Sequence, residues 1–145
     1  MEEYLASVRI AMDSFGMSER DVAEAMDRAE RDWEALSGSR DVVQFLAWQG
    51  DEPVATGRAT FTAHGVLLNG GSTLERARGR GAYRALVAAR WREAEHRGSP
   101  RLVTQAGAMS RPILARLGFR EVCDIRILLD RAGEGREGAR SGEDG

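Results

Sequence analysis

The chain is 145 residues long, enough for one domain with its own core and too short for two. Hydrophobic residues make up 42% and charged residues 30%, a globular mixture, and no apolar run approaches the roughly 20 residues that cross a bilayer. The net charge of −2 gives no overall attraction for nucleic acid, the single Cys123 excludes an internal disulfide, and two histidines are too few to suggest a structural zinc site.

Charge is unevenly distributed. Residues 1–60 carry −7, residues 61–130 carry +6 and residues 131–145 carry −1. All 21 basic residues are arginine, so no lysine is present to form a Schiff base or a P-loop. The acidic start, Met1-Glu2-Glu3, lacks the basic-then-apolar order of a signal peptide, which points to a cytoplasmic protein.

Residues 2–15 read as a helix, with Tyr4, Leu5, Val8, Met12 and Phe15 on one face and Gly16 as the stop. Ser18 opens a second helix, with Asp21 three residues on completing a capping box. Val22, Met26, Ala29, Trp33 and Leu36 form its stripe. The period then changes. Val42–Trp48 reads as a β-strand, 49–53 as a turn and Val54–Ala63 as a second strand. Val66-Leu67-Leu68 begins a third strand, and the pair Gly70-Gly71 suggests a bulge or a close backbone approach. A helix follows from Ala82 to about Arg97, with Leu86, Ala89, Arg90 and Glu93 on a mixed face widened by Val87, Trp91 and Ala94. Leu102-Val103-Thr104 is a short strand, and Ser110 opens a short helix that ends at Leu117-Gly118. Arg120–Leu129 alternates and reads as a last strand. Residues 131–145 hold no large apolar side chain and read as a disordered tail. The order predicts one α/β domain over residues 1–130, an antiparallel meander joined by a crossover helix to a parallel pair.

The segment Arg76-Ala77-Arg78-Gly79-Arg80-Gly81 lies between a strand and a helix N-terminus. Free amides and the positive end of a helix dipole suit an anion there. Gly79 and Gly81 remove Cβ atoms, so a phosphate could approach the backbone, and Arg78, Arg80 and Arg84 add charge. The alternative is a solvated, arginine-rich turn. The segment is neither a Rossmann fingerprint nor, without lysine, a Walker A loop. With Tyr83 and Trp91 as its only interleaved aromatics, it is not a nucleic-acid stripe.

This stretch resembles the acetyl-CoA loop of the GNAT family, the Gcn5-related N-acetyltransferases, V-x-P-x-x-Q/R-x-x-G-x-G/A followed by a helix near A-L-L. Thr73-Leu74-Glu75 falls on V-x-P, Arg78 on Q/R, Gly81 on the glycine and Ala85-Leu86-Val87 on A-L-L, while Tyr83 replaces the final glycine or alanine. A frame two residues earlier, Arg76-x-x-Gly79-x-Gly81, fits the glycines better and the helix worse. The family's late motif, L-Y-x-K-L-G-F, is matched by Ile113-Leu114-Ala115-Arg116-Leu117-Gly118-Phe119. The resemblance spans about residues 41–130.

The resemblance implies a GNAT-like mixed sheet, an antiparallel meander and then a parallel pair splayed at the cofactor site, with flanking helices. It implies that the backbone of Thr73 and Leu74 pairs with the pantetheine of acetyl-CoA, and that amides from Gly79, Arg80, Gly81, Ala82 and Tyr83, with Arg78 and Arg84, hold its phosphates. The implied reaction is acetyl transfer to a small-molecule amine by direct attack in a ternary complex. Three departures stand out. The tyrosine often used as acid falls on Leu114, the apolar Val66–Leu68 strand offers no base, and the family's first strand is missing ahead of the helix pair. They leave open a catalytically silent acyl-CoA-binding or regulatory module, or a half-protein that needs a partner chain. No catalytic residue and no metal ligand is assigned.

Among the remaining residues, His64 reads as an exposed turn histidine and Cys123 as a small buried hydrophobe. Trp33, Trp48 and Trp91 read as core or groove-lining. Tyr83 either sends its hydroxyl to the ligand or packs its ring on the sheet. The apolar Val42–Trp48 strand, left at an edge, predicts a homodimer, with an N-terminal helix folded over that edge as the alternative.

Overall fold

A computed structural model describes residues 1–128. Helix α1 (Glu2–Ser14) leads into α2 (Glu19–Ser37), and the Ser18 side chain accepts from the Asp21 amide while Asp21 returns a bond to the Ser18 amide. This is the predicted capping box. The helices are locked by Tyr4 and Trp33, whose ring centroids lie 5.4 Å apart.

Strands β1 (Val42–Gln49), β2 (Glu52–Thr62) and β3 (Gly65–Thr73) form the antiparallel meander, and β4 (Leu102–Thr104) joins parallel to β3, giving the order β1-β2-β3-β4. Val54, Ala55, Thr56 and Gly57 are buried in succession, which requires cover on both faces of β2. Helix α3 (Ala82–His96) supplies one cover, with Ala94 in a cluster with Ala59, Val66 and Leu68. Helix α1 also packs on the sheet and buries Ser7 and Ile10.

The course of β3 is set by a bulge and by a short partner. Thr56 pairs with Ser72 but Arg58 with Asn69, so β3 carries an extra residue at Gly70-Gly71, and Gly70 takes φ +59°. This is the predicted bulge. The parallel pairing covers only Val66–Leu102, Leu67–Val103 and Leu68–Thr104. Beyond it β3 runs on to Thr73 without β4, so the two strands part as expected.

The last strand is a correction. Residues 121–128 form no strand, and Val122, Ile125, Ile127 and Leu128 are exposed. Alternation shows that a segment suits a half-buried strand, but a strand also needs an edge to pair with. Here the free edge belongs to β4, three residues long with Val103 half-exposed. After α4 (Arg111–Arg116) the chain turns at Gly118, φ +90°, and packs Phe119 against the core cluster, but forms no further strand among the described residues; Arg111 and Glu121 pair at the surface. Cys123 is therefore exposed, not buried. Trp48 and Trp91 also stand partly in solvent, while His64 is exposed at its turn as expected. The tail over 131–145 lies outside the described residues. Among these residues no strand pairs with the outer side of β1 and none precedes α1.

Candidate functional site

Where β3 and β4 part, a cleft of about 630 Å³ opens between the end of α1, the second half of β3, the loop before α3, and α4. Its floor is β3 from Gly71 to Thr73. One wall is the segment from Ala77 to Arg84, and the other is Met109, Ser110 and Ile113 with Arg116 and Leu117. Arg78, Arg84 and Arg116 line it and no acidic residue does, so its field is positive.

The loop geometry follows from its glycines. Gly79 takes φ +76° and Gly81 φ +89°, the left-handed region that L-residues avoid. A Cβ at either would meet nothing within 4 Å, so the backbone faces open space. Gly81 caps α3 without a side-chain hydrogen bond, and the first turn holds no acid. The first four amides of a helix have no intrahelical partner. They remain available to an anion at the cleft.

The sequence-predicted residues divide. Thr73, Arg78, Gly79, Gly81, Ala82, Tyr83 and Arg84 come together in the lining. Leu74 turns away; its side chain is buried and its amide donates to the Val54 carbonyl at 3.0 Å, so that N–H is already used by the sheet. Arg80 is exposed outside the lining. Arg78 has a structural task, donating to the carbonyls of Thr73 at 3.3 Å and Ser14 at 3.2 Å, which ties the end of α1 to the loop.

Several residues of the cleft were not assigned to the site from the sequence. Ser72 Oγ and Thr73 Oγ1 are buried with no hydrogen-bond partner within the described residues, an uncommon state that a ligand would relieve. Ser110, Arg116 and the exposed Phe15 and Met109 complete the cleft. Leu114, at the position of the family's tyrosine, is buried outside the lining. The orphaned hydroxyls, the open glycine backbone and the acid-free wall all fit a long anionic ligand with polar groups along its arm.

Tyr83 both packs and faces the cleft. Its ring lies so close to Gly71 that a Cβ there would be 3.0 Å from Cε2. Burial pushes its phenol above the ordinary tyrosine value of 10.0, against the pull of the Arg90 charge and of the Ser110 hydroxyl. The native state therefore holds this proton more tightly than the unfolded chain. Stability should fall as pH rises from about 10 through the native value, by at most about 1.4 kcal/mol per pH unit. Urea melts at rising alkaline pH should show this slope for the wild type and a shallower one for Tyr83→Phe.

The sequence matches no model of a known protein family and no curated protein. Solved structures do match. A transcriptional regulator from Bacillus halodurans C-125 superposes with TM-score 0.71 at 18% identity, over 90% of this chain and 95% of its own. AAC(6')-Iy, solved with the bisubstrate analogue CoA-S-monomethyl-acetylneamine, gives 0.68 at 19%, over 90% and 93%. A GCN5-related N-acetyltransferase from Ralstonia eutropha JMP134 gives 0.65 at 20%, over 88% and 91%. The fold is the GNAT fold. Its mixed sheet, parallel pair and flanking helices are those the two motifs implied, and the AAC(6')-Iy structure superposes over 90% of the chain.

Proposed function

We propose that the protein transfers an acetyl group from acetyl-CoA to the amine of a small molecule. The observation that carries this reading is the positive cleft at the parted strands, closed at one end by glycine-lined amides at the N-terminus of α3. Those amides, from Gly79 to Tyr83, hold the pyrophosphate, and Arg84 and Arg116 add charge from the two walls. Arg80, at the solvent side of the loop, meets the outer phosphate. The unpaired stretch of β3 and the hydroxyls of Ser72 and Thr73 meet the amide-bearing arm. A neutral amine then attacks the thioester carbon, and donors fixed along the cleft stabilise the oxyanion.

A catalytically silent acyl-CoA-binding module is the second reading. It is favoured by a lining with no carboxylate and no histidine to act as base, and by the description of one structural neighbour as a transcriptional regulator. Two measurements decide. Calorimetry should show acetyl-CoA binding that weakens with added salt, because the arginine–phosphate attraction is screened. A free-thiol assay against a panel of small amines should show turnover. Binding without turnover on any amine would favour the silent module, and no binding at millimolar ligand would overturn both.

A further inference from the structure

Helix α3 meets the sheet at two glycines, one on each side of the bulge. Tyr83, in its first turn, lies on Gly71 of β3. Arg90, two turns further along, lies on Gly57 of β2, where a Cβ would be 3.0 Å from both Cζ and Nη1. Gly57 stands at the step where the ladder slips: Thr56 pairs with Ser72 and Arg58 with Asn69, and Gly57 itself has no Cα partner on β3. A bulge disrupts the ladder around it. The guanidinium supplies a bond at that step, donating to the Arg58 carbonyl at 3.3 Å and to the Leu86 carbonyl of its own helix at 3.0 Å. Arg90 is only 2% exposed and makes no ion pair among the described residues. A buried cation held by carbonyls alone is costly, and an apolar side chain of similar volume would pack there without that cost. An apolar side chain could not hold the Arg58 carbonyl.

Building on the acetyl-CoA reading of the cleft, we propose that Arg90 is a positioning residue for the cofactor, pinning β2 to α3 at the bulge and so fixing the cleft floor relative to the amides that open α3. The floor, Gly71 to Thr73, begins at the bulge and would take the amide-bearing arm. The amides at the N-terminus of the same helix would take the pyrophosphate. Arm and pyrophosphate belong to one molecule, so both sets of contacts form together only while floor and helix keep their spacing. Each partner of the guanidinium has a part in this. The Leu86 carbonyl directs the side chain, Gly57 leaves it room, and the Arg58 carbonyl is where it takes hold of the sheet. Arg90 lies outside the cleft lining and acts through the backbone, not on the ligand.

The test compares two ligands and needs no acceptor. Acetyl-CoA spans the floor and the loop, whereas adenosine diphosphate carries the pyrophosphate and lacks the arm. Calorimetry would measure both on the wild type and on two variants, with a melt to show that each is folded. Arg90→Met keeps most of the volume and loses the bond to Arg58. Gly57→Ala keeps the arginine and presses a methyl group against its guanidinium; its backbone lies outside the left-handed region, so the alanine itself is unstrained. In both, acetyl-CoA affinity should fall about tenfold, the worth of one or two hydrogen bonds along the arm. Adenosine diphosphate affinity should stay within about twofold, since the start of α3 is untouched. A side chain that only fills space would not separate the two ligands. Unchanged acetyl-CoA affinity in either folded variant, or a parallel fall for both ligands, would overturn the assignment. Failure of the wild type to bind acetyl-CoA would instead overturn the reading of the cleft beneath it.

Discussion

Gly81→Asp should lose acetyl-CoA affinity by on the order of 10²- to 10³-fold while remaining folded. The position caps α3 at φ +89°, and a side chain there would meet nothing within 4 Å. Left-handed backbone costs an L-residue roughly 1–2 kcal/mol, least for Asp and Asn. A negative charge at a helix N-terminus returns about 0.3–1 kcal/mol, so the net effect on stability is small. Binding is different, because the carboxylate would stand where the proposed pyrophosphate site lies. Two like charges 4 Å apart at an effective dielectric of 20 repel by about 4 kcal/mol, and each 1.4 kcal/mol is a factor of ten. Gly81→Asn has nearly the same shape and backbone strain without the charge, and should lose no more than about tenfold. Calorimetry on the two variants, with melts to show that both fold, separates the causes. Equal losses would mean that loop conformation matters and phosphate charge does not. Full affinity in a folded Gly81→Asp would remove this loop from the binding site.

Much of this architecture was legible because periodicity and punctuation are local. The capping box at Ser18 and Asp21, the three meander strands and the helix from Ala82 follow from spacing and turn residues alone. The Gly70-Gly71 bulge was legible because a glycine pair inside a strand has few other uses. The turn glycines ahead of α3 were legible for a similar reason, since Gly79 and Gly81 adopt backbone that other residues avoid. What failed depends on contacts distant in sequence. Alternation from Arg120 onward described a strand but not whether β4 had the length to receive it. Leu74 was placed with the ligand because its register fitted, yet its amide is taken by Val54, twenty residues away. Arg78 appeared as a phosphate ligand, whereas its guanidinium reaches Ser14, 64 positions back. Ser72 belongs to no spacing pattern and Ser110 read only as the start of a helix, and only the parted strands place both beside the cleft. Arg90 read, with Glu93, as a polar member of a mixed helix face. Its burial follows from Gly57 on another element, a missing side chain that no helical pattern can report.

The dependence of Arg90 on Gly57 should appear as strong non-additivity in stability. Arg90→Ala removes a large, almost fully buried side chain and should cost about 3 kcal/mol, within the range for cavities in packed cores, lowering Tm by roughly 10 °C. Gly57→Ala in the wild type forces a methyl group against the guanidinium at 3.0 Å and should cost about 1–3 kcal/mol, because the arginine is held by Leu86 and Arg58 and cannot withdraw. Combined, the two should be less harmful than their sum, since the new methyl enters the space vacated by the arginine. Urea melts of the four proteins would measure the coupling, and additive losses would show that Gly57 is not the room that Arg90 needs. Arg90→Met preserves most of the volume and takes a charge out of a low-dielectric interior, so it should cost less than about 1.5 kcal/mol, or stabilise. Tyr83 would then lose the neighbouring charge that favours its ionised form, and its phenol should titrate higher still. Unchanged Tyr83 titration in a folded Arg90→Met would show that the Arg90 charge does not reach the phenol.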